Sequence, residues 1–193
     1  MIEDKQTHIF RILWVFGMGV VGNELAKNSK ANAKAALREI VMAEEGGRAY
    51  DVILYLGGIF QAGQQTPVSE LIYQEVMTSR PTKPQETHLR ETSSTTTRDN
   101  ILRGKVALRR QDFVPKLHLC QHTIISEKWH LLLIQLLMRI HGIPTTPSPS
   151  GYRAKPKEVM ARLPRFLFYL IDPIGKGWFS RQETKRRRKA ASS

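Results

Sequence analysis

Residues 9–19, IFRILWVFGMG, decide the fold. Apart from Arg11, the stretch is an unbroken run of apolar and β-prone side chains that stops at Gly17-Met18-Gly19, which predicts a strand buried on both faces and leading into a glycine loop. Working outward, Ser29-Lys-Ala-Asn opens a segment with Ala33, Ala36, Leu37, Ile40 and Val41 at helical spacing, closed by Gly46-Gly47. Residues 51–58, DVILYLGG, write the same unit again: an apolar run ending at Gly57-Gly58. After a loop rich in Gln and Gly, Thr66-Pro67 reads as a helix N-cap with proline at the first helical position, followed by Val68, Leu71, Ile72 and Val76.

The alternation continues. His88 to Glu91 is a short extended stretch, and from about Thr97 a helix with Ile101, Leu102, Val106 and Leu108 as its buried stripe is expected. Lys116 to Cys120 is the next strand, Ser126 to His141 a strongly apolar helix ended by Gly142, and Ile143-Pro144 the start of a last short strand. Strands alternating with helices imply βαβ crossovers and a mainly parallel sheet flanked by helices. Residues 145–157, TTPSPSGYRAKPK, read as a surface loop, and Glu158 to Ile171 as a helix interrupted by Pro164. One α/β domain over 1–179 and a basic, disordered tail over 180–193 are the expected organisation.

The chain has 193 residues, 30 Lys and Arg against 17 Asp and Glu, and a formal net charge of +13. Six basic residues against one acid stand in RQETKRRRKAASS at the end, so weak polyanion contact through this tail is one expectation. Cys120 is the sole cysteine, which excludes an internal disulfide framework and favours the cytoplasm. MIEDKQTHIF does not read as a signal peptide, and the apolar runs fall short of the roughly 20 residues that span a bilayer. His118 and His122 lie four apart without a carboxylate or second cysteine beside them, so no metal is indicated, and Cys120 in its apolar run reads as an inert core thiol.

Residues 91–100, ETSSTTTRDN, place six hydroxyl side chains in a row before a helix that needs one cap. In an open parallel sheet the loops at the carboxyl ends of the strands share one rim, where ligands bind. Gly17 and Gly19, Gly57 and Gly58, the hydroxyls of 93–97 and Gln121-His122 are all expected at that rim. Two readings stand: Ser94, Thr96 and Thr97 line a pocket for a phosphate, a carboxylate or ribose hydroxyls, or one hydroxyl caps the helix and the others face water. GMGVVG over Gly17–Gly22 matches G-x-G-x-x-G, but the second strand ends in Gly57-Gly58 and lacks the acid that would hold a ribose.

The order ILWVFGMG, YDVILYLGG, Ser69-Glu70, ExxSxxTxxN, a strand near LHLC and FLFYLIDPIGKG resembles the YdcF/SanA/ElyC family over roughly residues 9–179. The family pattern E-x-x-S-x-N-T-x-x-N falls on Glu91, Ser94, Thr96, Thr97 and Asn100, with Thr96 in place of Asn. Its S-G-G and S-E-A fall on Gly57, Gly58, Ser69 and Glu70, with Leu56 and Leu71 departing. The T-S-x-x-H-x-x-R that relatives carry after the next strand is missing from CQHTIISEK. The resemblance implies a Rossmann-like three-layer domain with a strand-end pocket for a small molecule. It also implies S-adenosylmethionine as cofactor and a link to bacterial envelope maintenance.

The pocket reading assigns backbone contact to Gly17, Gly19, Gly57 and Gly58, acceptor roles to Glu70 and Glu91, and orientation of the ligand to Ser94, Thr97 and Asn100, with Ser69 and Thr96 also among the binding residues. An alternative from another class is nonspecific nucleic-acid binding. A third is peripheral attachment at the inner membrane face through RFLFYLIDPIGKGWFSRQ and KRRRK. Against the third stands the expectation that Phe166, Leu167, Leu170 and Ile171 pack on the sheet, which leaves Trp178 and Phe179 beyond the last helix.

Overall fold

In the computed structural model, which describes residues 8–59, 61, 63–80, 83, 86–172 and 185, strands and helices alternate as the sequence predicts. The elements are β1 (Arg11–Phe16), β2 (Val20–Val21), β3 (Glu24–Leu25), α1 (Lys27–Glu45), β4 (Val52–Leu56), α2 (Val68–Ser79), β5 (Thr87–Glu91), α3 (Thr97–Arg109), β6 (Gln121–Ser126), α4 (Lys128–Ile140), β7 (Thr146–Pro149) and α5 (Pro156–Ile171). A five-stranded sheet has the order β5-β4-β1-β6-β7, and every pair in it is parallel. β2 and β3 form a small antiparallel ribbon beside it. The protein is an α/β fold of three layers, Rossmann-like in its strand order.

The two strands that announce the fold are its centre. In β1 and β4 every residue from Ile12 to Phe16 and from Val52 to Leu56 is fully buried. Alternate side chains go to opposite faces. Leu13, Val15, Ile53 and Tyr55 pack with Ala33, Ala36 and Ile40 of α1 and Ile72 of α2. Ile12, Trp14, Phe16, Leu54 and Leu56 pack with Ile101 of α3 and Leu131, Ile134 and Leu137 of α4. Gly104 lets α3 approach this second face, because a Cβ there would stand 2.6 Å from Cζ3 of Trp14.

Several boundaries differ from the expectation, each for a physical reason. α1 begins at Lys27, so Ser29 sits inside its first turn and serves the preceding loop. α2 begins at Val68 with Pro67 as N-cap; Val68 N–H donates to Gly58 O and Ser69 N–H to Gly57 O, so carbonyls replace the expected Thr66 hydroxyl. In α3, Leu102 and Val106 are on the exposed side, while Gly104 and Leu108 complete the buried stripe with Ile101.

The strand expected at Lys116–Cys120 is a single 3-10 turn, Leu117–Leu119, and the strand lies one step later at Gln121–Ser126. Its polar start hid it: His122 is buried because its ring is paired on both sides, so the residue that breaks the apolar pattern is nevertheless core. Ser126 consequently ends β6 and does not begin α4, and Gln121-His122, expected at the carboxyl-end rim, begin β6 at the opposite end of the sheet. The last strand also moves, from Ile143-Pro144 into the presumed loop. β7 carries Pro147 and Pro149, which an edge strand tolerates because it pairs with β6 on one side alone.

α5 contains Pro164 as expected, but it lies against α4 and turns much of its apolar surface outward: Leu167 is 51% and Ile171 80% exposed, while Tyr169 is buried. The expected packing of Leu167 and Ile171 on the sheet is therefore overturned. The side chains of Phe166 and Leu170 lie outside the described set, as do Trp178, Phe179 and, apart from Lys185, the tail at 180–193. Among the described residues no helix is long and apolar enough to cross a membrane.

Candidate functional site

Chain order fixes where a site can form. From β1 the chain moves to β4 and β5 on one side, then crosses to β6 on the other side of β1. The crevice between the carboxyl ends of β1 and β6 is therefore the topological switch point of the sheet. Gly17-Met18-Gly19 leaves β1 there, and Ser126-Glu127 leaves β6.

At this point a chain of side-chain hydrogen bonds joins three elements. Ser126 Oγ lies 2.8 Å from Nδ1 of His130, and Nε2 of the same ring lies 2.9 Å from Oγ1 of Thr97. Ser126 also lies 3.5 Å from Sδ of Met18, and the ring meets Phe16 edge-on at 6.2 Å. A neutral imidazole carries one proton, so one hydroxyl donates to it while the other accepts. Which of the two hydroxyls donates is set by which ring nitrogen of His130 carries the proton. Ser126 is fully buried, whereas Thr97 and His130 are half-buried at the lip.

The residues expected to bind a ligand divide into a floor and a lip. Gly17, Gly57 and Gly58 are buried, and their amides are engaged: Gly17 N–H donates to Leu56 O, Gly57 N–H to Glu91 O and Gly58 N–H to Ser94 O. Gly58 is required by close approach, since a Cβ would stand 2.5 Å from Ser94 O and 2.7 Å from Thr92 O. The amides of Met18 and Gly19 both donate to Ser29 Oγ at 3.0 Å, and the Ser29 hydroxyl donates to Gly19 O at 2.8 Å. Ser29 thus occupies the place in the glycine loop that a phosphate takes in a dinucleotide fold.

The hydroxyl run is likewise put to work locally. Glu91 is buried and receives the amides of Ser93 (2.9 Å) and Ser94 (3.1 Å) together with the Ser93 hydroxyl (2.7 Å). Ser94 Oγ donates to Oδ1 of Asn100, both buried. Thr96 is the N-cap of α3, its Oγ1 accepting from Asp99 N–H at 3.1 Å. Ser69 is buried at the start of α2, and its Oγ has no hydrogen-bond partner among the described residues. Glu70 faces away from the switch point toward Arg90, 3.6 Å from its Nε. Of the eleven expected residues, Gly19 and Thr97 reach the lip beside Met18 and His130.

The Ser126–His130 pair escaped the sequence reading for the same reason as β6. Counted from the strand end at Ser126, Ser and His stand four apart at 126 and 130. A signal was present in Ser-x-x-x-His spanning a strand end and the first turn of a helix.

Other reactive groups are engaged elsewhere. Cys120 is buried, and burial pushes its thiol up. His118 is exposed and His122 is bonded to Trp14 and Leu117; among the described residues no three His, Cys, Asp or Glu converge as metal ligands. A cleft of about 450 Å3 lies at the opposite pole, between the ends of α3 and α4 and lined by Lys105, Arg109, Lys116 and His141. Comparison with protein-family models, with curated proteins and with solved structures finds no match to this chain.

Proposed function

We propose that the crevice between β1 and β6 binds a small polar ligand of nucleoside or phosphorylated type, with S-adenosylmethionine as the first compound to try. The observation that carries this reading is the Thr97–His130–Ser126 chain at the switch point of a parallel sheet. Thr97 and His130 offer a hydroxyl and an imidazole that both donate and accept, which suits ribose hydroxyls, a phosphate or a carboxylate. Gly19 and Met18 form the opposite lip, held by Ser29.

In this reading the buried glycines, Glu91, Ser94, Thr96 and Asn100 shape the floor and do not touch the ligand. The nucleoside class rests on the resemblance to the YdcF/SanA/ElyC family, as does a role in bacterial envelope maintenance. Residence in the cytoplasm rests on the lone cysteine.

The test is thermal unfolding with S-adenosylmethionine, S-adenosylhomocysteine, nucleotides and an undecaprenyl-type phosphate. A ligand at 100 times its Kd adds about 2.7 kcal/mol, a rise in Tm of several degrees. The rise is expected to vanish in Thr97→Val and to persist in Glu70→Gln. No rise with any compound, or a rise indifferent to Thr97→Val, overturns the proposal.

A further inference from the structure

The two helical layers differ in what they show to solvent. On the side of α1 and α2, Met42 is a lone exposed large apolar residue among the described ones of those helices. On the side of α3, α4 and α5 exposed large apolar residues recur in all three helices, among charged ones such as Arg103, Lys128 and Arg139. In α5, Met160 (65%), Leu163 (41%), Leu167 (51%) and Ile171 (80%) recur at helical spacing on one stripe, opposite the buried Tyr169. In α4, Trp129 (54%), Leu132 (51%) and Ile140 (43%) form a second stripe opposite the face that Leu131, Ile134 and Met138 bury. α5 packs against α4.

Charge divides the same way. The sequences of α3, α4 and α5 contain nine Lys and Arg against two acids, Asp99 and Glu158. Those of α1 and α2 contain four Lys and Arg against five Glu. Arg153, Lys155 and Lys157 are exposed where the chain enters α5, and the chain continues past Ile171 into the basic segment that ends it.

We propose that the α4–α5 face is a docking surface for an anionic lipid bilayer, on which the protein lies without crossing it. Apolar stripes on helices with a basic surround match the chemistry of a headgroup region, where the stripe enters the acyl boundary and the cations meet lipid phosphates. A second copy is a poor occupant, because a two-fold interface would set the five Lys and Arg of α4 and α5, with Glu158 as the one acid in their sequences, against themselves. A nucleic acid is a poor occupant as well, because phosphates gain nothing from Met160, Leu167 or Trp129.

The test is co-sedimentation of the full chain with vesicles of phosphatidylcholine alone and of phosphatidylcholine mixed with phosphatidylglycerol. Binding to the anionic vesicles is expected, falling with salt and weakened about tenfold or more in Leu167→Gln/Ile171→Gln. Both side chains are exposed, so an unchanged Tm in this variant shows that the loss is not unfolding. In a Trp178→Phe background Trp14 is buried, so quenching by brominated lipid reads Trp129, and strong quenching is expected. Absence of vesicle binding overturns the proposal. So does binding indifferent to the double substitution, which assigns attachment to the basic tail alone, and so does RNA retention without vesicle binding. A dimer that the double substitution dissociates assigns the face to a second copy and overturns it too.

Discussion

The indole Nε1 of Trp14 donates to Nδ1 of His122 at 3.0 Å, from β1 to the neighbouring β6, with both residues buried. The bond fixes the tautomer: Nδ1 accepts, so Nε2 carries the proton and donates to Leu117 O at 2.6 Å. A second proton on the ring would face the indole N–H, and burial already holds the His122 pKa below the ordinary 6.5. His88 and His141 are lowered in the same direction, in each case first by burial.

Stability is therefore predicted to change little between about pH 6.5 and 7.5 and to fall below that range. There the unfolded chain takes up protons that the folded histidines refuse, which costs up to about 1.4 kcal/mol per pH unit for the buried His122 until its folded pKa is reached, and less for the more exposed His141, whose charge is screened by solvent. Urea midpoints between about pH 7.5 and 5.5 check this. The slope should be shallower in His122→Gln, and a midpoint that rises on acidification contradicts the assignment.

Gly58→Ala is predicted to cost about 3 kcal/mol, because the added methyl meets two backbone carbonyls that have no room to retreat. Gly47→Ala, at φ +64° with open space around its Cα, should cost only about 1 kcal/mol. Equal Tm losses in the two variants would show that the 92–94 turn yields.

Arg80 joins the ends of three elements, paired with Glu44 from the last turn of α1 and with Glu86 ahead of β5. Glu86 and Arg80 are both buried, so Arg80→Met strands a buried carboxylate at a cost of about 3–5 kcal/mol. Adding Glu86→Leu should restore most of that loss. A double variant no better than the single one refutes the account.

Ser29→Ala is predicted to lower stability by about 2–3 kcal/mol, since three backbone groups of the Gly17–Gly19 loop lose one partner at once. It should also raise the Kd of any ligand that Thr97→Val abolishes, because it loosens the facing lip. Amide hydrogen exchange at Met18 and Gly19 reports the loosening directly, and unchanged protection there would count against it.

The parts of the fold that the sequence displayed were those where burial and polarity agree. IFRILWVF and DVILYL are buried on both faces and look it, and the glycines that follow mark strand ends. β6 and β7 were displaced because polarity and burial part company: His122 is core through its two hydrogen bonds, and the two prolines of β7 sit on an edge. The loops of the site were located, but not their internal wiring. No periodicity indicates that Ser29 serves the glycine loop, that Glu91 is spent on its own turn, or that His130 bridges Ser126 to Thr97.

The strand order β5-β4-β1-β6-β7 also sets a sequence of assembly. β1, β4 and β5 all lie between residues 11 and 91, so three adjacent strands and two helices are complete in the first half of the chain. As synthesis proceeds from the N-terminus, the free edge of β1 stays open until residues 121–126 emerge to pair with it. The crevice between β1 and β6 is thus the seam along which the late half joins the early half. Occupancy of that seam would tie the two together, so a bound molecule would act as a clasp on the last-formed junction of the sheet.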